Sequence, residues 1–212
     1  MPESPFIYLL NCKPLDDSDF KDIPKVIAKE LLPEYIRYIH CGDESSAQQV
    51  LSELHDNIKG AVSVDDTDKY FFVFGYQRAE ELKSEIKLSQ GDDIDSLFNL
   101  MKNGSNKPQL SPKELFHLIV KAGAKQGVHV ILWQDSYKAL EQDDNNIMSY
   151  FNLKVAFDMS PEEFSRSVGE NDTSLLSENN AIYYNKARDN QKFRPYQAPD
   201  EEWLKGSSMK LH

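Results

Sequence analysis

The chain has 212 residues, with 24 Lys and Arg against 35 Asp and Glu and a formal net charge of -11. That acidity argues against a broad nucleic-acid surface, because duplex binding is driven by Lys and Arg neutralising phosphates; any DNA contact has to be local or supplied by other chains. No stretch approaches the roughly 20 apolar residues of a membrane span. Met1-Pro2-Glu3-Ser4-Pro5 lacks the basic, then apolar pattern of a secretory leader, so a cytoplasmic location without direct membrane insertion is expected. The length suits one domain over residues 1–205, followed by a tail at 206–212.

Phe6 to Leu10 is a short apolar run expected to be a buried strand, and it opens into an acidic loop with Asp16, Asp17, Asp19 and Asp22. Pro24 begins a helix carrying Val26, Ile27, Leu31 and Leu32, which Pro33 ends, and Tyr35 to Ile39 makes a second strand. Asp43 or Ser45 caps the next helix, whose Ala47, Val50, Leu51, Leu54 and Ile58 form one apolar stripe. A polar turn with Asp65, Asp66 and Asp68 leads into Tyr70-Phe71-Phe72-Val73-Phe74, a very apolar strand ending at Gly75. Tyr76 to Leu82 is polar and turns into a short helix. The tract from Ile86 to Leu110 is a long surface connection with one or two helical turns, open to two readings, disorder or a functional flap.

Ser111-Pro112-Lys113-Glu114 has a side-chain acceptor at the cap, proline at the first helical position and a glutamate placed to return a hydrogen bond. Leu115, Leu118, Ile119 and Ala122 then recur at helical spacing until Gly127 ends the segment. Val128-His129-Val130-Ile131-Leu132-Trp133 follows as a continuous apolar run, the pattern of a strand covered on both faces. It ends in Gln134 and Asp135, and in open α/β sheets ligands sit beyond the carboxyl ends of strands. Asp143 or Asp144 precedes a helix through Ile147, Met148 and Phe151; Leu153 to Phe157 makes a strand. Ser160-Pro161-Glu162-Glu163 repeats the cap pattern for a helix that Gly169 ends. Ala181 to Tyr184 and Lys192 to Pro195 read as a closing hairpin or as a strand and its extension, and Trp203 with Leu204 is expected to dock the C-terminus. The sum is an α/β, mostly parallel sheet with helices on both faces.

The chemical motifs are sparse. The sequence has no G-x-x-x-x-G-K-[ST] phosphate loop, no G-x-G-x-x-G and no G-x-S-x-G nucleophile elbow. The acidic groups at 16–22, 65–68 and 92–95 do not match a calcium loop and read as solvated turns. Cys12 and Cys41 stand beside predicted strand ends without paired metal spacing and read as reduced thiols. No two histidines share metal-site spacing; His129 reads as a core histidine and His117 as lying on the partly wet face of its helix.

Three segments carry a resemblance. Gly127 to Asp135, preceded by Leu115 to Lys125, resembles the FtsK/SpoIIIE family of DNA-translocase ATPases, in which "GIHL" leads into a strand ending in glutamine. Phe71-Phe72-Val73-Phe74-Gly75-Tyr76-Gln77-Arg78-Ala79 resembles that family's Walker B strand, and Phe193-Arg194-Pro195-Tyr196 with Pro199 and Trp203 its closing "FRPY…P…WL" segment. The resemblance runs from about Phe6 to Leu204, in the portion of the motor after the P-loop.

It implies a three-layer RecA-like P-loop NTPase-type fold lacking the P-loop itself, from a family that works as hexamers hydrolysing ATP to move DNA, or, in related type VII secretion ATPases, protein. It further implies Mg-ATP as ligand of the full-length parent, which can be membrane-associated. The implied partners are other domains or subunits of a translocase ring, with DNA reached through the assembly. By resemblance the nucleotide contacts are Gln134, Asp135, Gly75, Arg78 and Lys154. The departures are the missing Walker A loop, Gly75 where the Walker B acid is expected, and Lys154 where many members carry an arginine able to grip phosphate with two nitrogens. An incomplete or degenerate motor half, inactive alone, is therefore expected.

Read without the resemblance, Gln134 is a strand-end polar residue, Asp135 a cap for the helix starting near Tyr137, and Arg78 the partner of a local acidic loop. Two rival functions follow: a non-catalytic interaction or ring-assembly module that binds no nucleotide, or an unrelated α/β enzyme acting on a small polar substrate at Gln134, Asp135 and Arg78.

Overall fold

The computed structural model describes residues 6–13, 23–31, 33–60, 68–85, 110–143, 147–169, 180–185, 188–195, 202–203 and 206. The expectations for the acidic residues at 16–22, 65–66 and 92–95, for most of the 86–110 connection, and for Tyr196, Pro199 and Leu204 lie outside them.

Four strands, β1 (Ile7–Asn11), β2 (Ile36–His40), β3 (Lys69–Phe74) and β4 (Val128–Trp133), form one sheet in the order β2-β1-β3-β4. All three pairings are parallel, with Asn11 opposite both His40 and Phe74, and Phe74 opposite Trp133. Parallel neighbours need a crossover, and the alternation of apolar runs with helical stripes in the sequence is the signature of that arrangement. The strands contribute to both faces by strict alternation. Tyr8, Leu10, Phe71, Val73, Val128, Val130 and Leu132 enter the main core with helices on one side. Leu9, Phe72, Phe74 and Tyr38 join Ala28 and Ile36 on the other.

The main face is covered by α2 (Glu44–Ile58), α3 (Glu80–Lys83) and α4 (Pro112–Ala122). Asp43 caps α2, its side chain accepting from the Ser46 N–H at 3.0 Å, and Ala47, Val50, Leu51 and Leu54 are buried as the stripe requires. At α4 the Glu114 N–H donates to Ser111 Oγ at 3.3 Å and the Ser111 N–H returns to Glu114 Oε2 at 2.8 Å, a complete capping box. A 3-10 turn, Gly123–Gln126, follows, and Gly127 takes φ +72°, the left-handed conformation that lets the chain reverse into β4. On the opposite face lies the segment predicted from Pro24, which starts as α1 (Ile23–Val26) and continues as a π-helix over Ile27–Leu31. Helices on both faces of a parallel sheet make an arrangement compatible with three layers.

The polypeptide then leaves this sheet. After α5 (Tyr137–Asp143) and a 3-10 turn at Ile147–Tyr150, β5 (Leu153–Ala156), β6 (Ala181–Asn185) and β7 (Arg188–Phe193) form a separate antiparallel sheet. The last two strands are thus a hairpin, one of the two expected forms. Helix α6 (Pro161–Val168) packs Phe164 and Val168 against Ala156 and Ile182 of that sheet. Ser160 accepts from the Glu163 N–H at 3.3 Å, and Gly169 at φ +79° closes the helix. The two parts meet through Trp133 and Phe157, whose rings lie 5.8 Å apart, and through Tyr137 Oη, which donates to the Arg166 carbonyl at 3.2 Å.

Several expectations need correction. β4 is not covered on both faces: it is an outer strand among the described residues, with Ile131 and Trp133 each 39% exposed. Its apolar outer positions serve aromatic contacts with Phe74 and Phe157 instead. The helix expected through Ile147, Met148 and Phe151 is a short 3-10 turn over Ile147–Tyr150, and Asp143 belongs to the preceding α5, while Asp144 lies outside the described residues. Trp203 is 63% exposed, not buried as a docked anchor would be, and its expected companion Leu204 lies outside the described residues. No helix among the described residues is long and apolar enough to cross a membrane.

Candidate functional site

The parallel register brings the residues that follow β1, β3 and β4 to one edge. Asn11, Phe74 and Trp133 are register partners across three strands, so Cys12-Lys13, Gly75 to Arg78, and Gln134-Asp135 leave the sheet side by side. The ladder continues one step beyond the strands, with the Cys12 N–H donating to the Phe74 carbonyl at 2.8 Å and the Gly75 N–H to the Trp133 carbonyl at 2.9 Å.

Gly75 has φ +75°, and a Cβ there would stand 2.8 Å from the Cys12 carbonyl oxygen. Only glycine fits both the dihedral and the space. The turn it starts is a 3-10 helix, Tyr76–Arg78, pinned by Tyr76, whose buried ring stacks on Phe116 of α4 at 5.5 Å. The position that the resemblance compares with a catalytic acid is therefore a backbone device for aiming Gln77 and Arg78.

Those side chains converge on Asp135. Lys13 Nζ donates to Oδ1 at 2.5 Å, Gln77 Nε2 to Oδ2 at 2.6 Å, and both terminal nitrogens of Arg78 to Oδ2 at 3.1 Å. Partial burial pushes the Asp135 carboxyl up, but the hydrogen bonds and charges of Lys13 and Arg78 outweigh it and hold the group below its ordinary value. The result is a carboxylate already supplied with two cations. Lys13 also lies 5.7 Å from the Trp133 ring centre, tying the network to the exposed side of β4.

Asp135 therefore does not cap α5 as expected. Ser136 does part of that work, its Oγ accepting from the Ala139 N–H at 3.4 Å, because the Asp135 oxygens are held across the sheet edge. Arg78 has an acidic partner within the chain, but it is Asp135 at the end of the neighbouring strand and not a local acidic loop. Gln134 stands beside Gly75 at the neighbouring strand end, and its Oε1, like Oε1 of Gln77, is buried without a hydrogen-bond partner among the described residues. Two such oxygens at one edge are unusual in a folded protein and mark places where a donor would be accommodated. Lys154 is not brought to this edge: it belongs to β5 of the second sheet, donates to the Ser167 carbonyl at 2.6 Å and lies 5.7 Å from the Tyr184 ring centre.

A second cluster sits where β1 and β2 end. Cys12 and Cys41 follow the paired residues Asn11 and His40, and the Cys41 N–H donates to the Asn11 carbonyl at 3.2 Å. Glu81 of α3, 5% exposed, lies beneath them; its Oε1 accepts from Cys12 Sγ at 3.5 Å and from the Gly42 N–H at 3.2 Å. Burial pushes the Cys12 thiol strongly up, and contact with Cys41 and Glu81 adds to the shift. Cys41 is exposed and donates to the Arg78 carbonyl at 3.5 Å, so the two clusters flank the same turn.

His129 is not a core histidine. It stands on the outer side of β4, stacked on Tyr70 at 5.1 Å with Nε2 3.4 Å from Asp68 Oδ2. His117 lies half-buried on α4, as expected, beside Lys113, Lys121 and Tyr150 in an open cavity.

The sequence reading missed Lys13, Gln77 and Glu81 as site residues and left the two cysteines apart. The signal that could have joined the cysteines is their equal offset, each directly after a strand in a β-α-β unit whose strands turn out to be neighbours. Comparison of the sequence with known protein families and with characterised proteins finds no match.

Proposed function

We propose that this chain is an incomplete motor module of an FtsK/SpoIIIE-type translocating assembly that does not hydrolyse ATP by itself. The observation that supports this best is the pairing of β3 with β4, which puts Gly75 and Gln134 at neighbouring strand ends, where the resemblance requires them. The buried, unmatched amide oxygens of Gln77 and Gln134 suit a ligand with donor groups at that edge. Lys13 and Arg78 are the cations that would meet phosphate, and Asp135 holds both, so a nucleotide has to compete with an internal carboxylate. Hydrolysis lacks two parts: a P-loop lysine, and an acid at position 75 to orient magnesium and water. Binding of Mg-ATP belongs to the assembled parent, where other chains or domains supply the rest.

A second reading, a non-catalytic interaction or ring-assembly module, is favoured by the exposed apolar residues Ile131, Trp133, Leu153, Val155 and Phe157 around β4 and β5. Outer strands and large exposed apolar patches are sites of association. Calorimetric titration of the purified chain with Mg-ATP, with phosphate release followed on the same sample, separates the two. Micromolar binding without turnover supports the motor-module reading. Neither heat nor turnover, combined with self-association in sedimentation, supports the interaction module.

A further inference from the structure

We propose that Cys12, Cys41 and Glu81 form a binding site for a divalent cation of the Zn2+ class, independent of any nucleotide chemistry. Their ligand atoms, one from each residue, all lie within 4.8 Å of one another. With Zn–S near 2.3 Å and Zn–O near 2.0 Å, tetrahedral coordination places a sulfur and an oxygen about 3.5 Å apart and two sulfurs about 3.8 Å apart. Cys12 Sγ and Glu81 Oε1 already stand at 3.5 Å. Small side-chain adjustments close the rest of the triangle, because Cys12 and Cys41 are fixed side by side by the β1–β2 register and the Cys41 backbone hydrogen bond.

Burial and charge point the same way. Glu81 is 5% exposed and faces two thiols and the Gly42 N–H, and no cationic side chain among the described residues forms an ion pair with it. Buried acidic groups in proteins are paired or coordinate metals. The donor set selects the metal: two thiolates and one carboxylate suit Zn2+, whereas Ca2+ and Mg2+ require several oxygen ligands. Cys41 is exposed, which gives the ion a route in and leaves the fourth position to water. Three protein ligands and an open position are the arrangement of reactive zinc sites, as opposed to closed structural ones. Each thiol releases its proton to solvent on coordination, so binding strengthens as pH rises.

The test is titration of the reduced, metal-free full chain with Co2+ and then Zn2+. One equivalent of Co2+ is expected to give an intense near-ultraviolet thiolate-to-cobalt band and visible bands of tetrahedral strength, both displaced by Zn2+. Cys41→Ser, at an exposed position, should keep the far-ultraviolet circular dichroism of the parent and lose the thiolate band. Since loss of an outer-shell partner costs about 10–100-fold in metal affinity, loss of this ligand should weaken Zn2+ binding by ~100-fold or more. Glu81→Gln should retain the band and bind more weakly. A folded, reduced chain that shows no thiolate band overturns the proposal, as does Zn2+ affinity unchanged in Cys41→Ser. Oxidation to a Cys12–Cys41 disulfide in a chain without metal affinity also overturns it, leaving a redox pair in place of a metal centre.

Discussion

Arg78 sets both terminal guanidinium nitrogens 3.1 Å from a single carboxylate oxygen of Asp135, across 57 residues of sequence and the joint between β3 and β4. With Lys13 on the other oxygen, the edge of the sheet is clasped by one acid and two bases. The pairing decides what the edge can do, because the cations available to an incoming anion are those that Asp135 gives up.

Replacing Asp135 by Asn should lower stability by about 1 kcal/mol, since Asp135 is 37% and Arg78 40% exposed, although Lys13 is only 11% exposed, and exposed pairs contribute roughly 0.2–1 kcal/mol each. The pH dependence fixes the assignment. The folded carboxyl titrates below its ordinary value of 3.8, so the contribution is fully present above that pH and is lost as pH falls through the lower folded value. Urea unfolding of parent and variant should therefore differ by a constant amount at neutral pH and converge below about pH 4. If nucleotide binds at this edge, the same variant should bind Mg-ATP more tightly than the parent.

Gly75 cannot be converted to the acid that the proposed motor reading would need there for hydrolysis. Gly75→Asp or Gly75→Glu should destabilise the chain by more than about 1–2 kcal/mol, the cost of a left-handed residue with a Cβ, and more for the collision with the Cys12 carbonyl. Thermal unfolding should show the loss, and phosphate release should remain at background in both variants. Recovery of hydrolysis would contradict the geometry of this turn.

The capping box gives a cleaner stability prediction. Ser111→Ala removes the acceptor for the Glu114 N–H in a residue that is 2% exposed, and should cost about 1 kcal/mol. Ser111→Asp, which restores a cap acceptor, should recover much of it. Denaturant midpoints at constant slope are the measurement.

Phe116 links the core to the site. Its ring is fully buried, edge-on to Phe71 at 6.2 Å and stacked on Tyr76 at 5.5 Å. Phe116→Ala should cost about 3–5 kcal/mol. Because Tyr76 anchors the turn that carries Gln77 and Arg78, the milder Phe116→Leu should loosen the Arg78–Asp135 pair and raise amide exchange at residues 76–79 while the chain stays folded.

Features decided within a few residues were legible in the sequence. The caps at Ser111 and Ser160, the reversal at Gly127 and the stripe of α2 depend on local chemistry, and each stands where its pattern placed it. Strand order was not legible, because an apolar run records burial and not the identity of its neighbours. The run of β4 therefore suggested an interior strand, and β5 could not be told from a fifth parallel strand although it pairs antiparallel with β6. The site fared in the same way. Of the residues that the resemblance points to, Gln134, Asp135, Gly75 and Arg78 share one edge, whereas Lys154 lies in the other sheet. Lys13 lies 122 residues from Asp135, and nothing in its surrounding sequence marks it as a partner.

The outer position of β4 bears on how this protein behaves in concentrated solution. A parallel edge that no other strand among the described residues covers, with Ile131 and Trp133 on its exposed side, is adhesive, and the surplus of acidic residues acts as its colloidal guard. As the medium approaches the isoelectric point of about 4.9 that guard is withdrawn while the apolar edge is unchanged. Turbidity should then rise in mildly acidic buffer well before the fold is lost, and a lysine at position 131 should suppress it.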